Sequence, residues 1–245
     1  MLDEQTLDDY LRDLTREHVA AAEARAEAAA NGTSPDYAVE IIRSRLAMMD
    51  TPAFSSLSLV GFLPNITYRG LDGRTDTASR TVVLGEFERA EPGRGLLAVD
   101  ENLELRSTEV AFDDPSATSV TVHVHFTQDE VLAGEDLSED GALTLPMVAP
   151  AGTDAAAFGE SLRALGPVVV FVDDAAGLGP ATDSSPRYRV AGMDGLVATV
   201  GPEGNLAMPF FDEATEATLL ADSANVDDLR GAADRAAQPV VDLPW

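Results

Sequence analysis

Few side chains in this 245-residue sequence can do chemistry. It contains no Cys, all 16 of its basic residues are Arg, and it has only 3 His. Without Lys there is no phosphate-binding GxxxxGK[ST] loop, no Schiff base and no catalytic lysine. Without Cys there are no thiolate nucleophiles, disulfides or thiolate-held clusters. No GxSxG elbow occurs either, since Gly159-Glu160-Ser161-Leu162-Arg163 fails at its last position. What remains is Thr121-Val122-His123-Val124-His125-Phe126. On a strand, His123 and His125 share one face while Val122, Val124 and Phe126 share the other. Two imidazoles at i and i+2 can share a divalent transition metal, with Glu130 or Asp129 supplying a carboxylate.

The run His123-x-His125-x4-Glu130 resembles the first metal motif of the cupins, and Pro150-Ala151-Gly152 resembles part of the second. Ala155 stands where the second motif has its His. The resemblance implies a metal-dependent enzyme using His123, His125 and Glu130. A second acidic candidate is Asp173-Asp174, which follows the apolar run Val168–Val172. Carboxylates just beyond a buried strand can hold Mg²⁺ and phosphate, but the partner loop would need the missing lysine. A solvated acidic turn is the expected reading there.

Partner contacts are expected at the two ends. Trp245 is the only Trp and follows Pro239-Val240-Val241-Asp242-Leu243-Pro244. An apolar tail bounded by prolines stays extended, and a Trp in a pocket is a frequent interface anchor. Leu243, Pro244 and Trp245 are therefore candidate partner-binding residues, with folding back onto the chain as the alternative. Residues 4–30 have the pattern of a helix in which Leu7, Leu11, Leu14, His18 and Ala21 form one stripe. Leu7, Leu11 and Leu14 are the apolar contacts of that stripe, and His18 is expected to pack within it.

The elements that position these groups divide the chain into three parts. A helical hairpin is expected over 1–52, its second helix opening at Ser34-Pro35 with Ala38, Ile42, Leu46 and Met49 inward. A β-rich body is expected over 53–211. Its strands are predicted at Ser56–Leu63, Thr81–Glu88, Gly95–Val99, Leu103–Phe112, Ser119–Phe126, Ala142–Val148, Val168–Val172, Arg187–Ala191, Gly195–Val200 and Asn205–Phe211. One helix, Thr153–Leu165, interrupts them with Thr153 as its cap. Helical segments near 212–222 and 226–237 and an extended tail complete 212–245. The fold class expected is α+β, with a mainly antiparallel sandwich or barrel. Tyr68-Arg69-Gly70-Leu71-Asp72-Gly73 echoes Tyr188-Arg189 and Gly192-Met193-Asp194-Gly195, which reads as shared turn chemistry.

Charge sets the setting. Arg residues number 16 against 43 acidic residues, a net charge of −27 and a pI near 4.1. Such a surface repels itself unless salt screens it, and the Debye length falls from about 10 Å at 0.1 M to about 3 Å at 1 M. Dense acid with no Lys therefore predicts a soluble protein of a high-salt cell. No basic patch is present to release counterions from nucleic acid or to meet an anionic membrane. The start, Met1-Leu2-Asp3-Glu4, lacks the basic and apolar stretches of a secretion signal. The expected location is the cytoplasm, or a virus particle.

The leading expectation from sequence is a non-catalytic structural or adaptor protein of a larger assembly, acting through protein partners or self-association without a cofactor. A cupin-like enzyme with one divalent transition metal is the first alternative, and a small-ligand binding module the second.

Overall fold

The computed structural model describes residues 36–48, 56–69, 75–99, 105–138, 140–175, 186–235 and 241–242. The elements are helix α1 (Tyr37–Met48), a 3-10 turn (Leu59–Phe62), and strands β1 (Thr67–Arg69), β2 (Thr75–Thr77), β3 (Thr81–Val99), β4 (Leu105–Val110), β5 (Ser119–Gly134) and β6 (Ala142–Pro150). They continue through α2 (Ala155–Arg163), β7 (Pro167–Asp174), β8 (Tyr188–Val190), β9 (Val197–Val200), β10 (Leu206–Ala207), α3 (Glu213–Leu219), α4 (Val226–Ala233) and β11 (Val241–Asp242). Leu7, Leu11, Leu14 and His18 of the expected first helix lie outside the described residues, as do Leu243, Pro244 and Trp245.

The body is an eight-stranded sheet in the order β10-β9-β7-β3-β5-β6, with β4 added to β3 and β8 to β7. Every strand pair in it is antiparallel. The expected barrel is corrected: the sheet stays open. It curls until the free edge of β6 lies beside β8, yet the two strands form no ladder. A small second sheet pairs β2 with β1 and sets β11 parallel to β1, with Tyr68 opposite Val241 and Arg69 opposite Asp242. The tail thus returns to its own chain at Val241 and Asp242.

Helix α2 fills the concave side. Asp154 is its N-cap, accepting from the Ala156 and Ala157 amides at 2.9 and 3.1 Å. Thr153, the expected cap, instead donates its hydroxyl to Pro150 O. Phe158 and Leu162 are fully buried, and Gly159 meets β3 so closely that a Cβ there would lie 2.4 Å from Ala90 N. Helix α1 lies on α2 and β6 with Ala38, Ile42 and Leu46 buried, and Ser161 Oγ accepts the Ala38 amide at 2.9 Å. These α1 side chains belong to the same buried cluster as the sheet.

Three further expectations are corrected. Ser56–Leu63 contains a 3-10 turn rather than a strand, because Leu59, Phe62 and Leu63 all bury their side chains, and alternation would have turned some of them outward. The two strands expected at 81–88 and 95–99 are one 19-residue strand, β3. It runs through Pro92-Gly93 by shifting register between Pro92 and Gly95, so that the bulge absorbs the missing amide of the proline. Of the strand expected over 205–211, only Leu206–Ala207 pairs with β9, while Asn205 makes a single antiparallel bridge to Asn225.

Candidate functional site

Strand β5 carries the histidines. Val122, Val124 and Phe126 turn into the core, where the Phe126 ring meets Phe87 edge to face at 5.4 Å. His123 and His125 therefore point to the other, half-exposed face, as expected from alternation. The register then fixes their neighbours. Glu91 and Pro146 flank His123, while Arg89 and Thr144 flank His125.

His125 Nε2 comes within 3.2 Å of Glu91 Oε1. The nitrogen is enclosed and makes no well-aligned hydrogen bond, so the contact is an ion pair only when the imidazole carries a proton. The other Glu91 oxygen accepts from Arg89 Nη1 at 3.1 Å. Arg89, and then His125, hold the Glu91 carboxyl below the ordinary glutamate value. His123 is pushed below the ordinary histidine value, chiefly by burial; Glu91 opposes this, while His125 and Arg94 add to it. Gly93 is what lets β3 approach so closely, because a Cβ there would sit 2.5 Å from Thr121 O and 2.8 Å from His123 Cδ2. Next to it the Arg94 amide donates to Thr121 Oγ1 at 2.9 Å, and the Arg94 guanidinium is paired with Glu109.

Glu130 is not brought to this pair. Arg230 of α4 holds it in a two-pronged grip, Nε to Oε1 at 3.0 Å and Nη2 to Oε2 at 2.7 Å. Arg230 Nη1 also reaches Asp227 at 2.5 Å. This guanidinium holds the Glu130 carboxyl below its ordinary value. Asp129 is the extra residue where β5 shifts register against β3, and it is exposed. Among the described residues, no group of three or more His, Cys, Asp and Glu is arranged to hold a metal ion. Asp173 and Asp174 end β7 rather than forming a turn. Arg80 Nη1 meets Asp174 at 3.0 Å, and Arg189 stands 3.9 Å from Asp173.

The most enclosed ion pair among the described residues joins Arg45 to Asp194, neither of them a candidate site residue from the sequence. Asp194 is 3% exposed, and its Oδ2 accepts from Arg45 Nη1 at 2.7 Å and from the Val148 amide at 2.9 Å. Arg45 also donates to Val148 O at 2.6 Å and to Met193 O at 3.0 Å. The turn carrying Asp194 is left-handed at three consecutive residues: Gly192 (φ 61), Met193 (φ 56) and Asp194 (φ 70). Met193, 40% exposed, is the one large apolar side chain so placed among the described residues. The Gly-x-Asp-Gly spelling at 192–195 was the only sequence signal for this turn. Nothing local pointed to Arg45, Glu91 or Arg230.

Comparison with known proteins found no matching family model, no matching curated relative and no matching solved structure. Among the described residues, no helix is long and apolar enough to cross a membrane.

Proposed function

We propose that this chain is a non-catalytic structural or adaptor component of a larger assembly in a high-salt cell, either in the cytoplasm or in a virus particle. One observation carries the reading: the carboxylates nearest the candidate chemistry are committed to arginines. Glu91 is held by Arg89, Glu130 by Arg230, and Asp194 by Arg45. Two of these pairs join segments far apart in the chain, and they spend scarce positive charge on holding a shape. The contacts with partners are assigned to the N-terminal stripe of Leu7, Leu11 and Leu14 and to the tail ending in Leu243, Pro244 and Trp245.

Light scattering in molar KCl tests this, comparing the full chain with a deletion of 239–245. A mass above that of one chain, reduced by the deletion, is expected. A clean monomer unaffected by the deletion ends the reading. A metal-binding alternative has support only from the shared face of His123 and His125. Stoichiometric transition metal that is lost in His123→Ala would favour it, and protein prepared without chelator yet free of metal would remove it.

A further inference from the structure

The curled sheet has one seam, where the free edge of β6 lies beside β8 without strand pairing. An unpaired edge exposes backbone donors and acceptors, and proteins blunt such edges in specific ways. Here the direction of each backbone group can be read from Val148. Its N–H goes to Asp194 and its C=O receives Arg45, so both point away from β5. Direction alternates along a strand, so the groups of residues 146 and 150 point the same way. Both are prolines and carry no N–H. The Pro150 carbonyl is taken by the Thr153 amide at 3.2 Å and the Thr153 hydroxyl at 2.7 Å. From Pro146 to Pro150, Val148 is therefore the only outward residue with an amide to offer.

We infer that the Arg45–Asp194 pair is a latch on this seam: it replaces the missing β6–β8 ladder bonds at Val148, and the seam is where the molecule opens locally. Three features fit a latch better than a passive ion pair. Asp194 reaches Val148 from a turn that is left-handed at Met193 and at Asp194 itself, a conformation that non-glycine residues rarely adopt. Met193, its side chain in solvent, and Asp194 both hold this backbone, so the turn carries strain that release would discharge. The latch also spans three separate elements. Arg45 extends from α1, and Gly195 lies so close to that helix that a Cβ would meet Leu46 Cδ1 at 2.8 Å. Finally, between Pro146 and Pro150 the edge uncovered by opening offers a second copy a single donor, the Val148 amide, because both prolines remain in place. Strand addition along that stretch is therefore disfavoured. None of this depends on the assembly reading.

Residue-resolved amide exchange on the full chain in molar KCl tests the latch. The variant Asp194→Gly removes the carboxylate at a position where glycine accepts the left-handed backbone, so any loosening comes from the lost side chain and not from added strain. The Val148 amide is expected to exchange at least about 10-fold faster, while those of Val124 and Val170 in the sheet centre keep their protection. Arg45→Met, which removes the other half of the pair, should reproduce this pattern if Asp194→Gly folds poorly. Unchanged exchange at Val148, or acceleration shared equally with Val124 and Val170, would overturn the latch.

Discussion

Arg230 and Glu130, 100 residues apart, meet through two hydrogen bonds of 3.0 and 2.7 Å, which join α4 to the far half of β5. Their side chains are 39% and 42% exposed, so solvent screens the attraction despite its two-pronged geometry. Glu130→Gln is therefore expected to cost less than about 1 kcal/mol. A double-mutant thermal cycle with Arg230→Gln should recover a coupling of that size. A loss of several kcal/mol would mean that the grip is far better shielded than its exposure implies.

The same pair sets an acid limit. Glu130 and Glu91 both titrate lower in the folded chain than the ordinary value of 4.5, so each favours folding above that value. That contribution disappears as pH falls through the lowered folded values. Protonation also relieves repulsion in a chain of charge −27, which acts in the opposite direction. Molar salt screens the long-range repulsion but spares contacts at 3 Å, so the melting temperature in molar KCl should fall as pH drops below 4.5. In dilute buffer the fall should be smaller or reversed.

His123 provides a second pH test, nearer neutrality. Burial lowers its folded pKa below 6.5, so between the folded value and 6.5 the unfolded chain binds the extra proton. Stability is then lost as pH drops below 6.5, down to the folded value. His123→Gln should flatten that part of the curve of melting temperature against pH. Equal slopes in both proteins would show that the imidazole is as well solvated as in a free peptide.

Gly159 and Gly231 make a matched pair. Both lie in helices, where replacing Gly with Ala normally gains about 1 kcal/mol. At Gly231 a Cβ meets nothing within 4 Å, so Gly231→Ala should stabilise by roughly 0.5–1 kcal/mol. At Gly159 the Cβ would strike β3 backbone at 2.4 Å, and overpacking that costs about 1–3 kcal/mol or more outweighs the propensity gain. Gly159→Ala should thus lower the melting temperature measured by circular dichroism, while Gly231→Ala raises it.

Salt gives the broadest test. With 43 acidic residues against 16 arginines, the folded chain should melt lower in dilute buffer than in molar KCl. Equal melting temperatures would contradict the high-salt reading.

Local chemistry in the sequence set the identity of many elements. The stripe Ala38, Ile42, Leu46 marked α1, and all three residues are buried. The alternation in 119–126 put the two histidines on one face, as the structure has them. The acid excess and the missing Lys and Cys excluded whole classes of chemistry, because composition acts through charge and reactivity whatever the fold.

The rest depended on contacts between distant residues. His123 and Glu130 are seven apart with the extra residue Asp129 between them, so spacing along the sequence does not decide which face Glu130 takes. Where Glu130 goes was fixed by Arg230, and Asp194 acquired its role only because α1 brings Arg45 to the edge of β6. Pro92-Gly93 looked like a break until bulged pairing with β5 carried β3 through it. Propensity, alternation and net charge are short-range or summed properties, so one strand of sequence determines them. An ion pair, a register shift or an open seam exists only when two separate segments meet, and the tertiary structure alone decides that meeting.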